Sequence, residues 1–150
     1  MNNISITWIP PAYVDGLWDS ASVLLKKAVE LSENSHDLDS LYEEIMSGSH
    51  DLWAIFKEDD DLLAVFTTQL CKYPRKTSLA ITFCGSHDRM GGVSGYWNEA
   101  MNQLVSIALS YGIESIEIIG RRGWTRVFRD MGFKEVAVVS EMKLKEQKDG

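Results

Sequence analysis

The sequence predicts an α/β fold of the mixed, α+β kind, with a mostly antiparallel central sheet and helices on both faces. Three observations carry that prediction. Helical and strand periods alternate in the order β-α-α-β-β-β-α-β-α-β. Three consecutive strands with short connections crowd the middle, which favours antiparallel neighbours. Finally, Ile113–Phe133, IESIEIIGRRGWTRVFRDMGF, reads as a strand, a Gly120–Gly123 turn, a short helix and a Gly132-Phe133 step into another strand.

Taken in order, Ile4, Ile6 and Trp8 alternate with polar residues as a half-buried strand, stopped by Pro10-Pro11. Val14, Leu17, Ala21, Leu24, Leu25, Ala28 and Leu31 recur at helical spacing and predict a first amphipathic helix. Ser40–Glu43 reads as a capping box opening a short second helix, with Leu41 and Ile45 on its buried face and Gly48 as its stop. Leu52–Lys57 and Leu62–Tyr73 form two strands joined by Glu58-Asp59-Asp60-Asp61. That tetrad reads as a solvated hairpin tip, since consecutive carboxylates on a tight turn cannot all converge on one metal ion.

Thr77–Cys84 is a further buried strand, Gly85–Gly95 a glycine-rich loop, and Tyr96–Ser110 a third helix. Ile113–Ile119 is the next strand and Trp124–Met131 the last helix. Phe133–Leu144 is the closing strand, with Val136, Val138, Met142 and Leu144 in alternation. Residues 1–150 form one domain, and the charged tail Lys145–Gly150 is expected to fray.

Composition narrows the classes of function. A net charge of −7 argues against a nucleic-acid binder, whose affinity comes from Lys and Arg on phosphates. Cys71 and Cys84 show no CxxC pattern and read as two buried free thiols of a reducing cytosol. His36, His50 and His87 are scattered among polar neighbours, so their spacing predicts no zinc site. The start, MNNISITWIPP, has no basic region and no long apolar run, so no signal peptide is expected. No window approaches the roughly 18 apolar residues of a membrane helix, and a cytoplasmic location is expected.

Two motifs carry a resemblance. Arg89-Met90-Gly91-Gly92-Val93-Ser94 fits the pattern Arg/Gln-x-x-Gly-x-Gly/Ala except for Ser94, and Gly95 follows. Together with the order of elements, this resembles the GNAT superfamily of acyl-CoA N-acyltransferases. The resemblance implies coenzyme A or acetyl-CoA as cofactor, with its pyrophosphate at Arg89, Gly91, Gly92, Val93, Ser94 and Gly95. The physical logic is that successive backbone N–H groups at a helix start, unobstructed by side chains, face phosphate oxygens. It also implies transfer of an acetyl group to an amine acceptor.

The second motif is Asn-x-x-Ala-x-x-x-Tyr-x-x-x-Gly-Phe. Anchored on Gly132-Phe133, its Tyr falls on Phe128, its Ala on Trp124 and its Asn on Arg121. Phe128 has no proton to give to a departing thiolate, so the usual general acid is absent. The fourth strand offers Ser78, Thr82 and Cys84 but no carboxylate; Glu114, Glu117 or Tyr111 are the substitutes in reach of the next strand.

Gly120-Arg121-Arg122-Gly123-Trp124, with Asp51-Leu52-Trp53 and Tyr73-Pro74-Arg75-Lys76, is similar to small GNAT-like proteins encoded by tailed phages. That likeness implies the alternative, a chemically silent GNAT-fold component of a virion or of assembly that binds other phage proteins.

Overall fold

The structure is a computed structural model and describes residues 4–32, 35–58, 60–87, 93–119 and 131–144, with backbone alone for 93–95. The chain divides into two compact units, Met1–Gly120 and Arg121–Gly150.

Within the first unit, strand β1 (Ile4–Ile9) leads into helix α1 (Pro11–Glu30). Pro11 sits in the first helical turn, where its missing N–H and fixed φ cost nothing. Helix α2 (Leu38–Ser47) starts earlier than the expected box, with Asp37 as its cap. Asp37 Oδ1 accepts the Ser40 N–H at 2.8 Å, and Ser40 Oγ accepts the Asp37 N–H at 2.9 Å. Ser40 is therefore the third residue of the helix rather than its cap. An ionised carboxylate answers the positive end of the helix better than a hydroxyl does, which explains the choice. Gly48 ends α2 at φ 91°, a left-handed conformation that suits glycine.

Strands β2 (Asp51–Lys57), β3 (Leu62–Lys72) and β4 (Thr77–Ser86) follow, then helix α3 (Val93–Ser110) and strand β5 (Ser115–Ile118). The sheet order is β1-β2-β3-β4-β5. The first four strands pair antiparallel and β5 joins β4 in parallel, as a crossover through α3 requires. The mixed, mostly antiparallel sheet is thus the one the sequence predicts.

Side chains alternate between the faces. Leu52, Ala54 and Val65 form one core with Val14, Ala21, Leu25 and Val29 of α1 and Leu41 and Ile45 of α2. On the other face Trp53 stacks on Phe66 at 5.8 Å, and Phe66 meets Trp97 of α3 edge-on at 6.3 Å. Helices therefore cover both faces. At the outer edge, Gln103 of α3 acts like a strand partner to β1. Its Oε1 accepts the Ile6 N–H and its Nε2 donates to the Ile4 carbonyl, both at 2.9 Å.

Two boundaries beside the glycine loop also move. Gly85 and Ser86 belong to β4 rather than to the loop, and α3 begins three residues early, so Val93, Ser94 and Gly95 are helical. Gly85 is required where it sits. A Cβ there would lie 2.0 Å from the Leu24 carbonyl oxygen, so only glycine lets α1 approach β4 this closely.

In the second unit, Gly132 turns at φ 99°. The closing strand expected over Phe133–Leu144 is not formed among the described residues 131–144. Val136, Val138, Val139, Met142 and Leu144 are all exposed. A period of two specifies a strand only where a neighbour takes the hydrogen bonds and one face is covered, so the alternation by itself does not make one. The last expected helix, Trp124–Met131, lies outside the described residues apart from Met131.

Candidate functional site

Strands β4 and β5 run side by side only from Ser78–Ser115 to Ile81–Ile118. The Ile119 N–H still reaches the Ile81 carbonyl at 3.1 Å, the last link between them among the described residues. Thr82–Ser86 of β4 continues with no strand partner on that side among the described residues. The carboxyl ends of parallel strands with a helix start beyond them are where α/β sheets bind ligands.

A bulge marks the same level. On β3 and β4, Thr67 pairs Phe83 and Thr68 pairs Ile81, which leaves Thr82 as the extra residue. Two threonine hydroxyls steady it. Thr67 Oγ1 lies 2.7 Å from Thr82 Oγ1 and accepts the Phe83 N–H at 3.2 Å.

On the α3 face of the sheet stands Tyr96, in the first turns of the helix, 5% exposed and stacked on Trp97 at 5.6 Å. Among the described residues its hydroxyl has no partner at full hydrogen-bond geometry. The Ser86 side chain acts on it from short of hydrogen-bond geometry, and Cys84 lies close by. Burial, the largest influence, raises the phenol above its ordinary value of 10.0, so it stays protonated at neutral pH. A buried hydroxyl without a partner is a donor with an unmade bond. Nothing in the periodicity singled it out, because an aromatic on the inner face of a helix reads as core.

On the opposite face, the loop before α2 and the start of β2 bring together two histidines that are scattered in sequence. His36 and His50 stand 5.9 Å apart, ring to ring, and His36 lies edge-on to Phe83 at 5.2 Å. Glu44 Oε1 joins them, 3.2 Å from His36 Nε2 and 2.8 Å from His50 Nδ1. The latter is an ion-pair distance off hydrogen-bond alignment, and His50 Nε2 has no partner among the described residues. Burial, foremost, lowers the His50 pKa below 6.5 against the pull of Glu44. Among the described residues, no group of three or more His, Cys, Asp or Glu is arranged to hold a metal ion.

The expected site residues fall in three places. Arg89, Gly91 and Gly92 lie outside the described residues, as do Arg121, Arg122, Trp124 and Phe128. Val93, Ser94 and Gly95 form the opening turn of α3, whose free amides point out of its N-terminus. The proposed carboxylate substitutes are engaged elsewhere. Glu114 Oε1 accepts the Thr77 N–H at 3.0 Å, at the end of β4 away from the cleft. Glu117 Oε1 accepts the Tyr73 hydroxyl at 3.1 Å, and that bond is the main reason the Tyr73 phenol is pushed up to about 12. Tyr111 is exposed at the far end of α3. Cys71 and Cys84 are free thiols, each partly accessible as a residue rather than buried. The Cys84 thiol itself is desolvated and pushed up to about 12, which leaves it no nucleophile.

No family profile matches the sequence, and no curated protein matches it. Solved structures do match in fold. An aminoglycoside acetyltransferase from an uncultured soil metagenomic sample, in complex with trehalose, superposes with a TM-score of 0.71 at 12% identity, over 95% of this chain and 97% of that one. Glucosamine-6-phosphate N-acetyltransferase from Arabidopsis thaliana gives 0.63 at 13% identity, over 95% and 99%. A predicted acetyltransferase with acetyl-CoA from Clostridium acetobutylicum gives 0.62 at 14% identity, over 95% and 97%. No helix among the described residues is long and apolar enough to cross a membrane. At such identities the likeness is one of fold, and the fold this chain adopts is that of the GNAT acetyltransferases.

Proposed function

We propose that the protein is an N-acetyltransferase that moves an acetyl group from acetyl-CoA to an amine. The observation that carries this reading is that, among the described residues, β4 runs on past its last pair with β5 at Ile81 and Ile118 and is followed in the chain by the start of α3. The residues fit the cofactor. The edge of Thr82–Ser86, unpaired on that side among the described residues, can pair with an extended amide chain, and the first amides of α3 suit a pyrophosphate. Acetyl-CoA supplies an acyl group already activated as a thioester.

The chain's own part is to position and to handle protons. The bulge at Thr82 re-aims the backbone where the open edge begins. Tyr96 Oη, kept protonated by burial, is the donor that this cleft offers where Phe128 has none.

Calorimetric titration with acetyl-CoA tests the reading. Saturable binding, lost in a folded Gly92→Val variant, supports it, and no binding by the wild type overturns it. Tyr96→Phe is expected to slow turnover by about 10²–10⁴-fold, the usual worth of a general acid, while leaving acetyl-CoA affinity unchanged. The alternative is a GNAT-fold binding component, as the phage-protein likeness implies. Phe128 and the carboxylate-free β4 favour it. Acetyl-CoA binding with no thiol release on any amine would select that alternative.

A further inference from the structure

Glu44 ties His36, before α2, and His50, after it, to the helix, but that task does not explain the free nitrogen of His50. His50 is 3% exposed yet keeps Nε2 without a partner among the described residues, a position where a Leu or Phe would pack without an orphaned nitrogen. Side-chain exposure falls from 38% at Glu44 through 22% at His36 to 3% at His50, so the cluster runs from the surface inward. It lies against Phe83, the residue next to the bulge.

The stretch of chain that supplies the cluster carries charge of one sign apart from its histidines. Between Lys27 and Lys57 the chain has no Lys or Arg, and its described residues there include Glu30, Asp37, Asp39, Glu43, Glu44 and Asp51. Of these, Glu44 contacts both imidazoles, Asp37 interacts with His36, and Asp51 with His50. Phe83, from β4, brings an aromatic edge and no charge. A neutral, buried imidazole with a free lone pair, a carboxylate beside it and a rim of carboxylates together form a host for an N–H cation.

We propose that Glu44, His36 and His50 form the acceptor subsite, and that it takes a primary ammonium on a molecule bearing further positive charges, such as a polyamine or amino sugar. The inference rests on the acetyltransferase reading for its purpose, though not for its measurement. Glu44 is the counter-ion and His50 Nε2 accepts an ammonium N–H. The carboxylates of Asp37 and Asp39 at the start of α2 hold the second charge.

The test uses spermidine, n-butylamine and n-butanol as probes, titrated into the full-length protein without cofactor. The histidine Cε1–H resonances and calorimetry provide the readouts. Spermidine is expected to shift the His36 and His50 resonances saturably and to bind more tightly than n-butylamine, with n-butanol inert. Glu44→Gln should weaken spermidine at least about tenfold, as loss of a charged hydrogen bond does. Asp61→Asn, a control at the exposed β2–β3 turn, should change affinity less than about threefold. His36→Gln gives a second, half-buried variant that tests the cluster without disturbing the buried ring. Equal affinity for the triamine and the monoamine, equal effects of Glu44→Gln and Asp61→Asn, or unmoved histidine resonances would each overturn the proposal. A separate titration with acetyl-CoA shows whether the acetyltransferase reading fails on its own.

Discussion

His50 enters the fold at the expense of its charged form, since only 3% of it stays exposed and burial outweighs the pull of Glu44 on its pKa. Its ordinary value of 6.5 holds in the unfolded chain, and the folded value lies lower. Between the two the unfolded state binds more protons, so stability is complete above about pH 6.5 and falls as the pH drops through the window below it. The Asp37 pKa is also lowered, by its bonds with Ser40, but from 3.8, so its window lies further into acid. Urea denaturation should accordingly show a lower midpoint at about pH 5.5 than at about pH 7.5, and His50→Gln should flatten that difference. Two glycines make a matched pair at the same scale. Gly85→Ala drives a Cβ to 2.0 Å from the Leu24 carbonyl oxygen, a backbone atom that cannot step aside, and should cost about 1–3 kcal/mol or more. Gly16, inside α1, has nothing within 4 Å of that position, so Gly16→Ala should stabilise by about 0.5–1 kcal/mol. Opposite shifts in melting temperature would check both.

Strand pairing explains which elements the sequence made legible. β2 and β3 send successive side chains to opposite faces, and their register sets Trp53 against Phe66, stacked at 5.8 Å and 2°, with Trp53 Nε1 donating to Thr68 Oγ1 at 2.9 Å. Trp53→Ala removes the stack and orphans a buried hydroxyl, and should cost about 3–5 kcal/mol in urea denaturation. Apolar patterns anchored in this way announced β1 to β5 and all three described helices. The start of α2 was misplaced because Ser40 fits both a cap and a third helical position, and only the competing acceptor Asp37 decides between them. Phe133–Leu144 misled for the opposite reason: its alternation is real, but alternation alone does not supply a partner strand. The site was legible only where motifs are local. The glycine run pointed to the start of α3, whereas Tyr96, hidden as a core aromatic, and His36 with His50, fourteen residues apart by number, needed the sheet to bring them to one level.

At the scale of the whole sheet, the strands run in chain order from β1 to β5, so β1 is outermost on one side. An outermost strand leaves a row of backbone donors and acceptors facing outward, and a second chain can read that row as the next place to dock. Here one side-chain amide occupies it: Gln103 offers an acceptor to Ile6 and a donor to Ile4, the arrangement a neighbouring strand would have offered. Glu99 Oε2 holds that amide in place by accepting from its Nε2 at 3.0 Å, so the seal is itself braced. Gln103→Leu keeps the bulk and removes both bonds, and sedimentation velocity should then show stronger concentration-dependent self-association than in the parent chain. Colloidal behaviour at high concentration, ordinarily a matter of total surface charge, would in this protein turn on whether a single carboxamide keeps its nitrogen: deamidation of Gln103 to a carboxylate would set an anion against the Ile4 carbonyl and unlatch the edge as the protein ages.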